Sequence, residues 1–532
     1  MNKFFNYYNS LCIGSNSPNV FSFDPYLIAI KEMLIFELRQ IVFYIEKLKD
    51  LNVNMSLYRD KVIEFISVLI VNLDFKKESF FAIVEDLYEN KNLLQDMYNS
   101  ECEKQGVLPQ KIDVIESKLV DKGSIIKILN DYEQNLSNDL SSLSLNKKIL
   151  YQIMINLVLN ACNCLIDLKN YGIDFVEAKE EVLKLFNASN FINADESEWI
   201  RTIRTFAKCN YKIMLTLNNK IIEKYGPISK SVVPLSTKKG KAILVSGYNF
   251  SDLDSILNAV VDYDINVYTH HEMINAFKYE KFNSNPHLVA HYQLSDNNFS
   301  LDFSSFPGPI YISKNSTPKI DVIRGQIYTS AKYPSYGIAK VENNDFSQII
   351  EYALKSKGFQ KDEITNSLFI GFNENDINLK LDEILSKFIS KEISHIAIIG
   401  FFDNFSPENE YISEFFEKAP DDCYIISFSH DFNRDNFWFV NSFFEFTLLY
   451  KIIENLFSVI DSPSKNISVF FVDCSNTILS HIFNLIYIGL SKIYLGPCCP
   501  NIISPILLEG LKSLFSINEI STPIDDLKQI MK

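Results

Sequence analysis

The rhythm of apolar residues changes near residue 226, and that change limits the fold more than any single motif. Before it, apolar side chains recur every three or four positions over long stretches, the period of an amphipathic helix. "DPYLIAIKEMLIFELRQIVFYIEKLKD" opens on Asp24-Pro25, a helix-entry signal, because Pro lacks the N–H that the first helical turn leaves unused. "LSLNKKILYQIMINLVLNACNCLIDLKNYG" stops at Gly172 and "ADESEWIRTIRTFAKCNYKIMLTLNNKIIEKYG" at Gly226, the residue that suits a left-handed helix end. These stretches predict a helical-bundle domain over residues 1–225.

Beyond residue 226, short apolar runs alternate with helical segments. "AILVSG" and "INVYTH" are predicted strands around the helix "SDLDSILNAVVDY", with Ser251 as its N-cap. "GPIYISKN" and "GQIYTSA" continue the series before the helix "DFSQIIEYALKSKGF". "NSLFIGF", "HIAIIGF", "CYIISFSH", "ISVFFVDC" and "SKIYLGPC" form a second set of strands, again separated by helices. The pattern predicts two doubly wound α/β (Rossmann-like) domains, 226–368 and 369–532, behind the helical one. The fold class is therefore multidomain, α plus α/β.

Charge and cysteine usage narrow the function classes. A formal net charge of −15 argues against nucleic acid or an anionic membrane as partner. No uninterrupted apolar run reaches about 18 residues, so no membrane span is predicted. The N-terminus lacks a secretory pattern, and the expected compartment is the cytoplasm. The nine cysteines include no Cys-x-x-Cys; Cys162 and Cys164 are two apart, and Cys498 and Cys499 are adjacent. Neither is a metal-finger spacing. Generic nucleotide-binding, hydrolase and zinc-protease motifs are absent. His270, His271 and Glu272 invite a metal, but neighbours on a strand point to opposite faces.

One loop is puzzling. "IIGFFDN" ends a buried strand at Gly400, where open α/β sheets place ligands and catalytic groups. The tip carries Phe401 and Phe402, which neither bind metal nor move protons.

The strings "KKGKAILVSGYNFSDL", "INVYTHHEM", "PHLVAHY", "FPGPIYISKN", "SKIYLGPCCPNIISPILLEGL" and "ISTPIDDL" together resemble the hybrid cluster protein family. That family is also called hydroxylamine reductase or prismane protein and is related to carbon monoxide dehydrogenase. "CNYKIMLTLNNKIIEKYGPISKSVV" extends the resemblance into the helical part. It implies the hybrid-cluster-protein fold, a helical domain followed by two α/β domains. It also implies two cofactors, a 4Fe-4S cubane near the N-terminus and a hybrid iron–sulfur–oxygen cluster held by His, two Glu and four Cys.

Carried over position by position, that ligand set is nearly gone. The family's Gly-His-Asp stands here as Gly247-Tyr248-Asn249, and its Tyr-Thr-His-Gly-Glu-Met as Tyr268-Thr269-His270-His271-Glu272-Met273. Glu272 is thus retained while Tyr248 replaces the His. The family's Asn-Cys is Asn315-Ser316, and its Gly-Gly-Cys-Asp-Gly is Gly400-Phe401-Phe402-Asp403-Asn404. The remaining two cysteines fall at His430 and near Phe443, or Phe444 if the register slips, and the last Glu at Ser475, beside Cys474. At the cubane motif, Phe5 and Tyr8 occupy the spacing of the first two cysteines, leaving only Cys12.

Thiolates hold iron–sulfur clusters, and phenyl rings hold nothing. The expectation is a chain without either cluster, hence without cofactor and redox activity, that acts as a binding, scaffold or regulatory protein. Phe402 and Phe443 would fill the space a lost cluster leaves, since cavities cost on the order of 24 cal/mol per Å³. The alternative is an enzyme with repurposed chemistry, Glu272 and His430 acting as acid/base or weak metal ligands. A protein partner is expected under the first reading, with the chain itself a monomer or homodimer.

Overall fold

The computed structural model describes residues 25–68, 77–110, 143–188, 195–293, 299–313, 326–332, 334, 337–363, 366–400, 409–428, 431–440, 446–460, 463–472, 477–496 and 505–532. They divide into two compact units, Met1–Ile213 with Pro500–Leu514, and Met214–Cys499 with Phe515–Lys532.

The first unit is helical: α1 (Pro25–Asp50), α2 (Ser56–Val68), α3 (Lys77–Gln105), α4 (Leu145–Asn170), α5 (Val176–Ala188) and the start of α6 (Glu196–Tyr225). α4 opens under the Ser144 side chain, which accepts from the Lys147 N–H at 3.3 Å. By length and composition this helix passes the test for a membrane span, yet 78% of its apolar window is buried inside the protein. It is the core helix of the bundle. α1 and α3 run parallel in a constant register: Glu37 meets Lys91, Tyr44 lies against Tyr98, and Leu51 O accepts from Gln105. Each pair is 54 residues apart and each step is seven residues, the spacing of a coiled-coil seam.

The second unit carries the sheets. In chain order it holds β1 (Ser231–Pro234), β2 (Lys241–Ser246), α7 (Phe250–Ala259), β3 (Ile265–His270) and a 3-10 helix over His271–Lys278. Next come β4 (Leu288–His291), α8 (Phe299–Ser305), β5 (Ile310–Ile312), β6 (Ile327–Thr329), β7 (Ile338–Lys340) and α9 (Ser347–Lys355). They are followed by β8 (Ser367–Ile370), α10 (Glu374–Ile389), β9 (His395–Gly400), α11 (Asn409–Lys418), β10 (Cys423–Ser427), β11 (Phe437–Phe439) and α12 (Phe446–Val459). Last are β12 (Ile467–Phe471), α13 (Ile478–Ile488), β13 (Lys492–Leu495) and, past α14 (Pro505–Phe515), which belongs to the first unit, β14 (Asn518–Glu519) and α15 (Pro523–Ile530).

Two six-stranded sheets result, ordered β4-β3-β2-β5-β6-β7 and β11-β10-β9-β12-β13-β14, and every pairing within them is parallel. Both follow the same scheme: the first strand is central, two strands are added on one side, then three on the other. The central strands β2, β3, β9, β10 and β12 are buried almost throughout, as sheets covered on both faces require. In each sheet the order reverses once, between β2 and β5 and between β9 and β12, which fixes a crevice at the carboxyl ends of those strands.

Two sequence expectations need correction. The strand in "NSLFIGF" joins neither sheet; β8 pairs antiparallel with β1, Val232 opposite Phe369. Its alternating exposure suits a ribbon rather than a buried parallel strand. The N-cap of α7 is Asn249 and not Ser251, because the Asn249 carboxamide accepts from the Ser251 and Asp252 N–H groups at 2.9 and 3.3 Å. α14 returns to the helical unit after the chain has built most of the second.

Candidate functional site

The first sheet ends its central strands in polar chemistry. β2 finishes at Ser246, followed by Gly247 at φ +115° and the half-buried Tyr248, whose N–H donates to Ser313 Oγ at 3.4 Å. β3 finishes at His270, paired in register with Ser246. The His270 ring bridges elements: its Nδ1 lies 2.8 Å from Ser246 Oγ, and its Nε2 is 3.1 Å from Asp302 Oδ2 on α8. All three residues are buried. A second imidazole sits alongside, with His291 Nδ1 3.0 Å from Thr269 Oγ1 and Nε2 3.0 Å from Gln293 Oε1. Burial, with the neighbouring His270 next, pushes His291 down to about 3, so it is neutral.

Where β3 turns into its 3-10 helix, His271 adopts φ +56°, a left-handed conformation that costs an ordinary L-residue roughly 1–2 kcal/mol. Burial and then the neighbouring His270 push its imidazole down to about 3. Glu272 follows. Its backbone carbonyl accepts from Asn275 Nδ2 at 3.2 Å, but among the described residues its carboxylate accepts no hydrogen bond. Burial alone pushes that carboxyl up to about 7. Glu272 nonetheless keeps some accessible surface, which describes a group in a recess rather than one sealed in the core.

The structure thus places Tyr248 and Glu272 two residues beyond paired strand ends, on one rim, and records no hydrogen bond from the Glu272 carboxylate to Tyr248. The other positions singled out by sequence, Ser316, Phe402, His430, Phe443 and Ser475, lie outside the described residues, as do Phe5, Tyr8, Cys12, Asn315 and Cys474. The chain enters them from defined points: β5 leads toward Ser316, β9 toward Phe402, β10 toward His430 and β12 toward Ser475, each from its carboxyl end. Gly400, the last residue of β9, has φ +149°, and a Cβ there would lie 2.7 Å from Phe428 Cβ. That close approach requires the glycine.

Sequence reasoning missed the Ser246–His270–Asp302 set. Nothing in spacing shows it, because Asp302 is 32 residues from His270 and on another element. It also missed a set in the second sheet's helices. There Tyr450 Oη is 2.5 Å from His481 Nδ1 and accepts from Asn484 Nδ2 at 2.9 Å, while His481 Nε2 is 3.1 Å from Thr477 Oγ1. The His481 ring is stacked on Phe446. Among the described residues, no three His, Cys, Asp or Glu side chains converge to hold a metal ion.

A doubly wound α/β pair following a helical unit, with its candidate site at strand carboxyl ends, defines the class. The particular family follows from comparison. A sequence model of the Prismane/CO dehydrogenase family matches residues 23–429, and the chain belongs to that family. A protein named hydroxylamine reductase from Methanocella arvoryzae is 29% identical over 353 residues, 63% of this chain and 64% of that protein's length, so this match leaves over a third of the relative uncovered. A second hydroxylamine reductase, from Gloeothece citriformis, is 27% identical over 541 residues, covering 95% of each. Among solved structures, an alpha subunit of acetyl-CoA synthase/carbon monoxide dehydrogenase, described with NiZn[Fe4S4] and NiNi[Fe4S4] clusters, superimposes with a TM-score of 0.50. At 9% identity, over 98% of this chain and 84% of that one, it shows likeness of fold alone.

Proposed function

We propose that this chain is a cluster-free member of its family that works by binding, as a scaffold or regulatory protein, without redox catalysis. The observation that carries this reading is the donor set. At the seven positions where the resemblance implies hybrid-cluster ligands stand Tyr248, Glu272, Ser316, Phe402, His430, Phe443 and Ser475. One carboxylate, Glu272, is retained; the imidazole has become a phenol, the second carboxylate a hydroxyl, and the four thiolates a hydroxyl, two phenyl rings and an imidazole. Iron–sulfur clusters need thiolates, so these residues do not fit the group. Neither does the nearest described cysteine in the second sheet compensate. Cys423 opens β10 at its amino end, a strand's length from the carboxyl ends, and burial pushes its thiol up to about 12. Among the described residues the Glu272 carboxylate accepts no hydrogen bond, which agrees with a ligand position that has lost its cation.

Anaerobic expression with iron and sulfide supplied, followed by iron analysis and visible absorption, tests the reading. A colourless folded protein is expected. A brown protein with several iron atoms per chain would overturn it.

A second reading, residual chemistry in the same recess, has one observation in its favour. Glu272 titrates near neutrality while keeping some exposure, the condition for moving protons at physiological pH. Its partner by sequence is His430. Turnover of hydroxylamine by the metal-free protein with an external electron donor supplied, lost in Glu272→Gln, would establish this reading over the first.

A further inference from the structure

The helical unit holds an unmet polar cluster in the parallel seam of α1 and α3. Gln40 is only 4% exposed, yet among the described residues neither its Oε1 nor its Nε2 has a hydrogen-bond partner. One turn earlier, Glu37 is 1% exposed; its Oε2 accepts from Lys91 Nζ at 2.8 Å, while among the described residues its Oε1 has no partner. Residues three apart on a helix share a face, so the three unmet atoms belong to adjacent layers of one seam. The register that pairs Glu37 with Lys91 sets the buried Leu94 opposite Gln40, and Leu94 offers no polar group.

We propose that Glu37 and Gln40 hold a buried neutral guest of water size, able both to donate and to accept hydrogen bonds, with water as its resident. Three considerations fix that chemistry. Burying an amide with no partner costs several kcal/mol, so a guest that satisfies it is strongly favoured. A buried water wants two to four polar partners, and Glu37 Oε1, Gln40 Oε1 and Gln40 Nε2 supply three. A charged guest is disfavoured because Lys91 already neutralises Glu37, and a further charge in an apolar seam would stand uncompensated. The guest donates to the carboxylate oxygen and accepts from the amide N–H, linking the ion pair to the next layer.

Thermal unfolding of Gln40→Met, which keeps the side-chain length, gives opposite signs for the two cases. With a resident guest, the variant loses an anchor and its midpoint falls. With a dry seam, replacing an unpartnered amide by a thioether opposite Leu94 removes a penalty and the midpoint rises, which overturns the proposal. A crystal structure of the wild-type protein supplies the independent arm. Density within hydrogen-bonding distance of both Glu37 Oε1 and the Gln40 amide is expected. Its absence, or a Gln40 amide turned onto a protein partner, overturns the proposal.

Discussion

The two six-stranded sheets share one strand order and differ in what they bury at their ends. In the first, the strand histidines His270 and His291 sit at the carboxyl ends, tied to Ser246, Asp302, Thr269 and Gln293. In the second, the strand histidine is His395, at the amino end of β9, its Nε2 2.9 Å from Ser468 Oγ. Among the described residues, the second sheet's carboxyl ends bury Ser427, Phe428, Phe471 and Val472 and no strand histidine, while the imidazole of His481 belongs to a helix and is stacked on Phe446. Topology therefore decides where a crevice forms, while side chains decide separately in each sheet whether it stays polar.

The sharpest way to break the contrast is to remove its central polar contact. Asp302→Ala removes the carboxylate that lies 3.1 Å from His270 Nε2 in a site closed to water and is expected to cost about 3 kcal/mol by denaturant unfolding. Ser468→Ala, the matching deletion at the second sheet's amino end, should cost only about 1 kcal/mol. Equal losses would mean that the first sheet's set is ordinary packing.

Glu272 extends the comparison to pH. Its folded-state carboxyl lies above its unfolded value, so it adds no penalty below about pH 4.5. The penalty grows as the unfolded chain ionises first, and it is complete above about 7. Glu272→Gln should match the parent at pH 4 and exceed it by on the order of 1–3 kcal/mol at pH 8. A pH-independent difference would place the carboxylate in contact with a compensating cation.

At the second sheet, Gly400→Ala drives a Cβ against Phe428 and should cost about 1–3 kcal/mol, measured in the same way. Indifference would mean that this strand end is loosely packed. The smallest effect belongs to His271. Replacing it by Gly relieves the left-handed backbone and should stabilise by up to about 1 kcal/mol. Net destabilisation would show that the imidazole's contacts outweigh the strain.

Much of the architecture was legible because buried parallel strands are written as short unbroken apolar runs. "KAILVS", "INVYTH", "HIAIIG", "CYIIS" and "ISVFF" became β2, β3, β9, β10 and β12. Glycine ends were legible too: Gly172 and Gly226 stand at φ +80° and +97° just beyond α4 and α6. β11, with only Phe437, Trp438 and Phe439, was not, since three residues carry no period. The pairing of β8 with β1 was hidden because an apolar run does not name its partner. At the candidate site, Glu272 and Tyr248 were found through resemblance. The His270–Asp302 contact spans 32 residues, and the φ of His271 depends on how β3 meets its 3-10 helix. Neither quantity is local, so neither is written in a short string.

Finally, α14 has a consequence for the order in which this protein is made. It belongs to the helical unit, where the backbone of Gly510 comes so near the Ile149 side chain that a Cβ would lie 2.5 Å from Ile149 Cδ1. The helices that α14 completes are translated some three hundred residues earlier. The amino-terminal unit must therefore wait, its core short of one helix, while the ribosome synthesises almost all of the second. An unfinished hydrophobic surface held open that long is where a chaperone would be expected to bind the nascent chain.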